Sequence, residues 1–482
     1  MTEPSFAGTR VAVAGAAVSG LAVARVMIER GARVVLVDAR DDEPIRESLA
    51  PLVAAGAEVR LGDAESPVDA DLVITSPGWR PDQPMLAAAL RGGVEVIGEP
   101  ELAWRLRPGA DRGDAAPWVA ITGTNGKTTT VGMVESILTA AGYRAVAAGN
   151  VGLPLIDVVL DPDPYDVIAV ELSSFQLHWS RDLAPDVGAV LNIAEDHLDW
   201  HGSMAAYTAA KAAIWRHGGC QPYNADDPIV RDLVVTMVEE PHPFTTGIPP
   251  RGGFGVVDGA IVDAMSGWSP DHEPEPQRWG DGFRLVDLAD LPVSGRHNVA
   301  NATAAAAATK VLGLTRAVPW TAVRDGLLAY RPGHHRNEVV GQAGGITWVD
   351  DSKATNPHAA AASLSAYPSV VWIAGGLLKG ADVGPLVAEH AGRLRGVVLI
   401  GRDRAEIAEA LARHAADVPV VTVGTQDTAG MDEAVQAAAE LAQPGDTVLL
   451  APAAASMDMF RDYADRGDRF AANVRRIIEY LK

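Results

Sequence analysis

The sequence predicts an α/β protein with three domains, each built around a mainly parallel sheet. Short, continuous apolar segments alternate with helix-length segments along almost the whole chain. Strands that are apolar throughout are typical of parallel sheets whose two faces are covered by helices. The chain has 482 residues, and at roughly 150 residues per domain this length allows about three domains.

The predicted strands recur along the chain in the same form. The first two are VAVAG and VVLVD, and a helix is predicted between them at 19–30. Later segments such as WVAIT and VVWIAGG repeat the apolar pattern, which predicts further buried strands. The predicted strands lie at 11–15, 34–38, 71–75, 118–122, 166–172, 186–193, 347–351, 370–376, 396–401, 418–423 and 446–452.

Two segments rich in glycine, proline and charge interrupt this pattern and predict the domain boundaries. They are RPGADRGDAAP at 107–117 and YRPGHHRN at 330–337. A third segment, at 241–282, is rich in proline and glycine but has weak periodicity, so we expect it to be irregular or to form a peripheral hairpin. The predicted domains span residues 1–112, 113–332 and 333–482.

Composition and charge exclude several classes of protein. The net charge of −22 disfavours nonspecific binding to nucleic acid or to anionic membranes. No run of 18 apolar residues is present, so we expect no membrane span. The first ten residues lack a basic segment followed by an apolar one, so we expect no secretory signal. Cys220 is the single cysteine, which excludes an intrachain disulfide and fits a reducing cytoplasm.

The segment GTNGKTTT at 123–130 predicts a phosphate-binding loop. It follows the predicted strand WVAIT and precedes a helical pattern. Its glycines allow backbone N–H groups to approach phosphate oxygens, and the helix N-terminus adds positive potential. Lys127 can reach the terminal phosphates, and the Thr128 hydroxyl can bind Mg²⁺. Ile121 occupies the place of the first glycine in the common G-x-x-x-x-G-K-[ST] loop, so this loop is a shorter variant.

Two further residues are candidates for metal chemistry. Glu171 closes one apolar segment, and His197 follows another; ligands bind at the carboxyl ends of strands in open α/β sheets. A carboxylate and an imidazole can share Mg²⁺ with phosphate oxygens. Taken singly, Glu171 could instead cap a helix and His197 could be a hydrogen-bonded loop residue. Lys211 lies in the helical pattern YTAAKAAIW, which by itself indicates a solvated surface lysine.

The segment GAAVSG at 15–20 imitates a dinucleotide-binding fingerprint. It lies between a predicted strand and a predicted helix, and Asp38 ends the next strand, but Ala17 replaces the middle glycine. An imperfect fingerprint is weak support for a nicotinamide cofactor. A structural turn, a nucleotide site and a nicotinamide-dependent oxidoreductase all remain open at this point, although the last leaves the loop at 123–130 unexplained.

The loop at 123–130 is similar to that of the Mur ligases and folylpolyglutamate synthetases. More motifs of the Mur ligases follow in order, and together they extend the resemblance over nearly the whole chain. ELSSFQL and DSKATN resemble the members that add D-glutamate to UDP-N-acetylmuramoyl-L-alanine. The motifs are ELSSFQLH at 171–178, NIAEDHLDWH at 192–201, YTAAK at 207–211, GRHNVANA at 295–302, DDSKATN at 350–356 and PAAASMD at 452–458.

The resemblance implies an ATP-dependent amide ligase of peptidoglycan synthesis that works through an acyl-phosphate intermediate. It implies a Rossmann-like domain for the UDP substrate at 1–112, a central P-loop ATPase-like domain at 113–332 and a Rossmann-like domain for the amino acid at 333–482. The partners it implies are small molecules (ATP, D-glutamate and the UDP precursor), with no nucleic acid and no membrane. We expect a cytoplasmic monomer whose third domain closes around 330–337, because the reacting groups must meet between domains.

The resemblance also implies roles for individual residues. Catalytic roles fall to Lys127, Asn150, Glu171, His197 and Lys211. Two Mg²⁺ ions are implied, held by Thr128, Glu171, His197 and Lys211, the last as a carbamate formed with CO₂. ATP binding falls to Gly123, Thr124, Asn125, Gly126, Lys127, Thr128, Thr129, Asn301, Arg336 and Asp351. The UDP substrate is assigned to Val18, Ser19, Asp38, Arg40, Ser76, Gly78, Asn150, Ser173 and Gln176. D-glutamate is assigned to Lys353, Thr355, Lys379, Ser456, Met457 and Tyr463.

Three positions depart from the family pattern. Asn337 stands where an aromatic residue is expected, the segment before Lys379 is less polar than usual, and Tyr463 replaces the phenylalanine of some members. These departures concern the amino-acid site, so a related ligase that uses another amino acid stays open as the main alternative. A nucleotide-binding module without catalysis is a second alternative, which the number of placed polar groups disfavours.

Overall fold

The computed structural model describes residues 6–109, 114–238, 241–265, 284–293, 295–312 and 318–480. Strands in these ranges form three sheets with helices between them, which confirms the predicted α/β class. The chain divides into two compact units: Met1–Ile193, Ala205–Pro292 and Ala300–Tyr330 form the first, and Ala194–Met204, Val293–Val299 and Arg331–Lys482 form the second. The boundaries of the three predicted domains stay a prediction. Within the described ranges no helix is long and apolar enough to cross a bilayer.

The first sheet is parallel throughout and has the order β3-β2-β1-β4-β5. Parallel pairing brings the carboxyl ends of β1, β2 and β4 to one edge of the sheet. Its strands are β1 (Arg10–Ala14), β2 (Arg33–Asp38), β3 (Glu58–Leu61), β4 (Leu72–Thr75) and β5 (Glu95–Gly98). The helices between and after them are α1 (Val18–Glu29), α2 (Glu43–Ala54), α3 (Pro84–Arg91) and α4 (Glu99–Leu106). The helix predicted at 19–30 is therefore confirmed as α1.

The second sheet, also in the first unit, has the order β14-β13-β12-β11-β10-β9-β6-β8-β7. Pairing is parallel from β7 to β12 and antiparallel from β12 to β14. The hairpin of β12 and β13 lies within the segment predicted to be irregular or a hairpin; 266–283 are outside the described residues. The strands are β6 (Trp118–Thr122), β7 (Ala145–Gly149), β8 (Val167–Glu171), β9 (Val187–Val190), β10 (Gln221–Asn224), β11 (Pro241–Phe244), β12 (Phe254–Val257), β13 (Ala260–Asp263) and β14 (Arg284–Asp287).

Eight α-helices are described between residues 127 and 329, and the longest two follow glycine-containing segments. They are α5 (Lys127–Ala140), α6 (Leu155–Val159), α7 (Ser174–His178), α8 (Leu198–His201), α9 (Met204–Ala212), α10 (Pro228–Met237), α11 (Arg296–Lys310) and α12 (Trp320–Ala329). The central strand β6 is wholly buried, with Trp118 to Ile121 inaccessible to solvent. Burial on both faces explains why this strand is apolar without alternation.

The third sheet belongs to the second unit and has the order β15-β16-β20-β17-β18-β19. Only the β15–β16 pair is antiparallel. One face packs on α13 to α15 and the other on α16 and α17, so that each face has its own apolar cluster. The strands are β15 (Glu338–Ala343), β16 (Ile346–Asp350), β17 (Val370–Gly375), β18 (Leu394–Ile400), β19 (Val420–Thr422) and β20 (Thr447–Leu450). The helices are α13 (Pro357–Ser365), α14 (Gly384–His390), α15 (Arg404–His414), α16 (Gly430–Leu441) and α17 (Tyr463–Tyr480).

Candidate active site

The predicted phosphate loop forms the turn from β6 into α5. Gly126 precedes the helix with φ +85°, a conformation that costs glycine little and other residues more. A Cβ at Gly126 would lie 2.3 Å from Oδ1 of Asn301, so glycine is also required by space. Asn301 is buried in α11 and therefore packs directly against the loop. Thr128 and Thr129, which are also assigned to ATP, lie in the first turn of α5.

Two lysine ammonium groups meet at the start of this loop. Nζ of Lys127 donates to the carbonyl oxygens of Gly123 and Thr124, at 2.9 Å each. Nζ of Lys211 donates to the Gly123 carbonyl at 2.7 Å. Lys211 is buried, with Nζ 4.7 Å from the ring centre of Tyr207. The helical pattern alone indicated a surface lysine at this position; the structure places it in the interior beside the loop.

Glu171 lies at the end of β8, next to the strand that leads into the loop. β6 and β8 are paired neighbours, with Ile121 opposite Glu171. The carboxylate is buried, and its Oε1 accepts from Nδ2 of Asn150 at 2.9 Å. Its Oε2 has no hydrogen-bond partner among the described residues. A buried carboxylate oxygen without a partner is costly, and a cation is the ligand that would offset this cost.

Asp38 joins the turn after β1 to the end of β2. Its Oδ2 accepts from the N–H of Ala16 at 2.8 Å, and Oδ1 accepts from the N–H of Arg40 at 2.9 Å. The Arg40 guanidinium also bonds this carboxylate, at 3.1 and 3.2 Å. Burial by itself raises the pKa of Asp38, but the hydrogen bonds from Arg40 and Ala16 outweigh it, so the pKa lies below its ordinary value. The carboxylate is thus committed to shaping the turn.

The other residues assigned to the UDP substrate lie in the same compact unit. Ser76 approaches Gly15 so closely that a Cβ there would lie 2.6 Å from its Oγ, while Val18 is two-thirds exposed. Ser19 is half-buried and Gly78 is exposed. Ser173 and Gln176 bond each other in a capping box at the start of α7, which is a structural role that the local pattern S-x-x-Q indicates.

A small pocket in the second unit contains three of the predicted site residues: His197, Thr355 and Lys379. Its full lining is Glu195, Asp196, His197, Leu198, Thr355, Asn356, Leu378, Lys379 and Ala381. His197 and Lys379 have φ of 54° and 55°, a region that non-glycine residues seldom occupy and that is often found at functional positions. Asn356 caps α13 and donates to Oδ2 of Asp196 at 3.2 Å, so it holds two walls of the pocket together.

The remaining residues assigned to ATP and D-glutamate in the second unit do not line this pocket. Burial raises the pKa of Asp351 to about 6, although hydrogen bonds from Ser363 and from the Asn337 N–H, and the charge of Arg336, act in the opposite direction. Nζ of Lys353 lies 3.8 Å from the ring centre of Tyr463, a cation–π contact. Ser456 is buried, whereas Met457 is three-quarters exposed.

Two residues with many contacts in these regions were not predicted. Asn192 bonds the backbone of Asn125 with both atoms of its side-chain amide. Arg466 is wholly buried, and its guanidinium donates to Ser352 Oγ, to Ser352 O and to Ala454 O at 2.8–3.0 Å. Burial lowers the pKa of Arg466 to about 9. Asn192 is the first residue of the NIAEDH motif, so the sequence did contain an indication that it belongs to the site. A single arginine in a helix gives no such indication.

Among the described residues, no group of three or more His, Cys, Asp or Glu side chains could hold a metal ion. A Mg²⁺ site at the loop would therefore draw on other oxygens, such as the Thr128 hydroxyl and the phosphates of a nucleotide. The buried, unpartnered Oε2 of Glu171 fits such a shared site.

Three models of one protein family match the chain. They are the Mur ligase MurD-like N-terminal domain at residues 9–98, the Mur ligase middle domain at 121–309 and the Mur ligase glutamate ligase domain at 335–454. The chain belongs to the Mur ligase family and is therefore a ligase. This confirms the family predicted from the sequence motifs.

Among curated relatives, the UDP-N-acetylmuramoylalanine–D-glutamate ligase of Thermobifida fusca (strain YX) is 52% identical over 98% of this chain and 99% of its own length. The ligase of the same name from Streptomyces avermitilis is 53% identical over 98% of this chain and 99% of its own length. The one from Mycobacterium avium (strain 104) is 46% identical, with 99% of each chain covered.

Solved structures share the fold at low sequence identity. The UDP-N-acetylmuramate–alanine ligase MurC of Thermotoga maritima has a TM-score of 0.58 at 19% identity, covering 97% of this chain and 100% of that one. The MurF ligase of Thermotoga maritima in complex with ADP has a TM-score of 0.56 at 16% identity, covering 93% and 96%. At these identities the likeness confirms the fold alone.

Proposed function

We propose that this ligase joins D-glutamate to the L-alanine carboxylate of UDP-N-acetylmuramoyl-L-alanine at the expense of ATP, in the cytoplasmic part of peptidoglycan synthesis. Relatives named UDP-N-acetylmuramoylalanine–D-glutamate ligase support this choice of substrates, because they are 46–53% identical to the chain over nearly its whole length. The site observation that supports it best is the convergence of Lys127, Lys211 and Glu171 on the start of one phosphate loop.

The reaction requires activation of the carboxylate, because a carboxylate and an amine do not condense at neutral pH. In the first step an oxygen of the L-alanine carboxylate attacks the γ-phosphorus of ATP; the bond to the β,γ-bridging oxygen breaks, giving an acyl phosphate and ADP. In the second step the D-glutamate amine attacks the acyl carbon. The tetrahedral intermediate releases phosphate and the amine loses its proton, leaving the amide. Phosphoryl transfer of this kind depends mainly on alignment and on neutralisation of charge.

The loop and Lys127 would bind the phosphates of ATP. The first turn of α5 presents backbone N–H groups and the positive end of the helix dipole. The Lys127 ammonium bonds two loop carbonyls, from which it can turn to the β- and γ-phosphates without moving the backbone. Asn301, packed on Gly126, closes one side of the loop. We place Arg336 and Asp351 of the second unit at the nucleotide as well.

Glu171, Lys211, His197 and Thr128 would hold two Mg²⁺ ions. The ions supply positive charge that neutralises the phosphates when bound. Glu171 offers a buried oxygen without a partner, and Asn150 orients that carboxylate through its other oxygen. We propose that Lys211 is a carbamate in the active enzyme: its neutral amine forms an N–C bond to CO₂ and loses a proton. This reaction replaces a cation with an anionic oxygen ligand suited to Mg²⁺.

The two remaining substrates are assigned to opposite ends of the chain. The turn held by Asp38 and Arg40 would bind the UDP group, with Ser76 beside it. Thr355 and Lys379, in the pocket of the second unit, would bind the carboxylates of D-glutamate together with Lys353, Ser456, Met457 and Tyr463. Paired cationic and hydroxyl groups suit a substrate with two carboxylates. We propose that the chain acts as a monomer with three domains.

A panel of amino acids tests the substrate assignment. Phosphate release would be measured with D-glutamate, L-alanine, meso-diaminopimelate, L-lysine and D-alanyl-D-alanine, each offered with its matching UDP precursor. We expect release with D-glutamate and UDP-N-acetylmuramoyl-L-alanine alone. Release with another pair, and none with D-glutamate, would assign the chain to a related ligase. With ¹⁸O in the L-alanine carboxylate, the acyl-phosphate route predicts one ¹⁸O atom in the released phosphate.

A further inference from the structure

The side chain of Asn192 holds the backbone of the phosphate loop from outside the loop. Its Nδ2 donates to the carbonyl oxygen of Asn125 at 3.0 Å, and its Oδ1 accepts from the N–H of the same residue at 2.8 Å. Its backbone carbonyl accepts from the N–H of Thr124 at 2.9 Å. One residue therefore fixes two consecutive residues of the loop.

These contacts continue the β6–β9 pairing beyond the end of both strands. Thr122 is paired with Val190 in the sheet, and the N–H of Leu191 donates to Thr122 O at 2.9 Å. The next bond runs from Thr124 to Asn192. After that the loop turns away, and the side-chain amide of Asn192, which has the same donor and acceptor as a peptide group, takes the place of the next backbone partner.

Asn192 is itself fixed through the peptide groups on either side of it. Nδ2 of Asn224 donates to the carbonyl oxygen of Leu191 at 2.8 Å. Oδ2 of Asp227 accepts from the N–H of Ile193 at 3.0 Å, while its Oδ1 caps α10 through Val230. The Asn192 side chain therefore starts from a defined backbone position.

The short loop depends on a neighbour for support. Because Ile121 stands where longer loops begin with glycine, few residues separate the end of β6 from α5. Gly123 lies so close to the adjoining segment that a Cβ on it would be 2.9 Å from Cβ of Leu191. Anion binding at a helix N-terminus requires the first N–H groups to point at the ligand, and Asn125 stands two residues before that helix.

We propose that Asn192 is a positioning residue for ATP, which holds the Asn125 backbone so that the N–H groups at the start of α5 face the phosphates. The inference rests on the proposed function, since it takes the phosphates to bind at 123–129. Asn192 touches neither the nucleotide nor a metal in this role. A misplacement of about 1 Å can lower a rate about 100-fold. Because the contact fixes the loop proposed to bind ATP, we expect the change in kcat/KM for ATP and not in the KM of the other two substrates.

Calorimetric titration with MgADP and steady-state kinetics on Asn192→Ala and Asn192→Asp test this role. For Asn192→Ala we expect weaker MgADP binding and a fall of about 10- to 100-fold in kcat/KM for ATP, with unchanged KM for D-glutamate and the UDP precursor. Asn192→Asp keeps the acceptor for the Asn125 N–H but sets an oxygen against the Asn125 carbonyl, so we expect the same defect. Asn473→Ala is the matched control, because it removes one asparagine bond, to Arg469 O at 2.9 Å; it should lower Tm and leave the ATP parameters unchanged.

The outcomes separate the inference from the function on which it rests. A wild-type protein that does not bind MgADP contradicts the proposed nucleotide site. Wild-type binding together with unaltered affinity and kcat/KM in both Asn192 variants overturns the positioning role alone. A parallel rise in all three KM values with a matching fall in Tm also overturns it, since that result describes a residue that acts only on stability. If Asn192→Ala does not fold, Asn192→Asp decides, because it keeps the size of the side chain and its acceptor while it replaces the Nδ2 donor with a negatively charged oxygen.

Discussion

Nζ of Lys211 lies 2.7 Å from the carbonyl oxygen of Gly123, in the interior of the first unit. A buried ammonium group is expensive unless it is bonded, and here a loop carbonyl and the Tyr207 ring face it. The same carbonyl accepts from Lys127, so two cations share one oxygen. Conversion of Lys211 to a carbamate would relieve this repulsion and would place an anion beside the phosphate loop.

The first prediction follows from this contact. Lys211→Ala should lower kcat by about 100-fold or more, because the proposed carbamate ligand of Mg²⁺ cannot form without this lysine. The wild-type enzyme should lose activity in buffer depleted of CO₂ and regain it with bicarbonate, and ¹³C-bicarbonate should give a carbamate signal in NMR spectra of the wild type alone. Near wild-type activity of Lys211→Ala at limiting bicarbonate would show that the carbamate has no role.

Glu171 should give opposite effects on stability and on activity. Glu171→Gln removes a buried charge whose Oε2 has no partner among the described residues, while the bond from Asn150 to the other oxygen can persist. We expect the ligand-free protein to gain about 1 kcal/mol in unfolding free energy and to need more Mg²⁺ for phosphate release. Thermal unfolding and a Mg²⁺ titration measure the two effects.

The matched control for this variant is Glu135→Gln. Oε1 of Glu135 accepts from the N–H of Ala147 at 2.9 Å, so its carboxylate already has a partner and its replacement should not stabilise the protein. Equal stabilisation by both substitutions, or an unchanged Mg²⁺ requirement for Glu171→Gln, would remove the argument for a metal ligand.

The carboxylate of Glu101 should contribute far more to the free energy of unfolding than the carboxylate of Glu95, which bonds the same arginine. Glu101 is fully buried, and it accepts from the backbone N–H groups of 181–183 and from Nε of Arg105. Glu101→Ala leaves those donors unpaired and should cost about 3 kcal/mol. Glu95 also bonds Arg105 but is about one-third exposed, so Glu95→Ala should cost under about 1 kcal/mol. Urea unfolding measures both values; similar costs would contradict the prediction.

The stability of the second unit should decrease as pH rises through the titration of His335. Nδ1 of His335 bonds Oδ2 of Asp350 at 2.7 Å, which raises the pKa of the imidazole above its ordinary value of 6.5, although burial lowers it. Asp468 and Glu338 face the same ring and act in the same direction as Asp350. A group whose pKa is raised on folding stabilises the protein fully below its unfolded value and loses this effect as pH passes the folded value.

We therefore expect Tm to fall by a few degrees between pH 6.5 and the higher folded pKa, and His335→Gln to lack this part of the pH dependence. Scanning calorimetry of the two proteins at several pH values makes the comparison. An identical pH profile for His335→Gln would show that the Asp350 contact does not control the titration.

The sequence predicted those features that are local along the chain. The apolar segments predicted β1, β6 and β8 because strands buried on both faces need no alternation. The loop at 123–130 was predicted because it directly follows such a strand, and Glu171 was singled out because it ends another. Asn192 was missed as a loop contact because its partner Asn125 is 67 residues away in the sequence. Arg466 was missed because an isolated arginine is usually exposed, and only the tertiary structure brings Ser352 and Ala454 to it.

For Ser173 and Gln176, the local sequence pattern predicts the observed hydrogen bonds better than the resemblance does. The resemblance assigned both residues to the UDP substrate, but in the structure they satisfy each other at the start of α7. The pattern S-x-x-Q predicts this capping box without any knowledge of the fold. Their contact with a substrate stays a prediction. The side-chain amide nitrogen of Gln176 takes no part in the capping box, so it is the group that could contact the substrate.

The proposed reaction is tested by the dependence of phosphate release from ATP on the other two substrates. We expect release only when UDP-N-acetylmuramoyl-L-alanine and D-glutamate are present together, in a one-to-one ratio with a product whose mass equals the sum of both minus one water. Release that needs neither substrate, or a product that lacks the glutamyl residue, would contradict it.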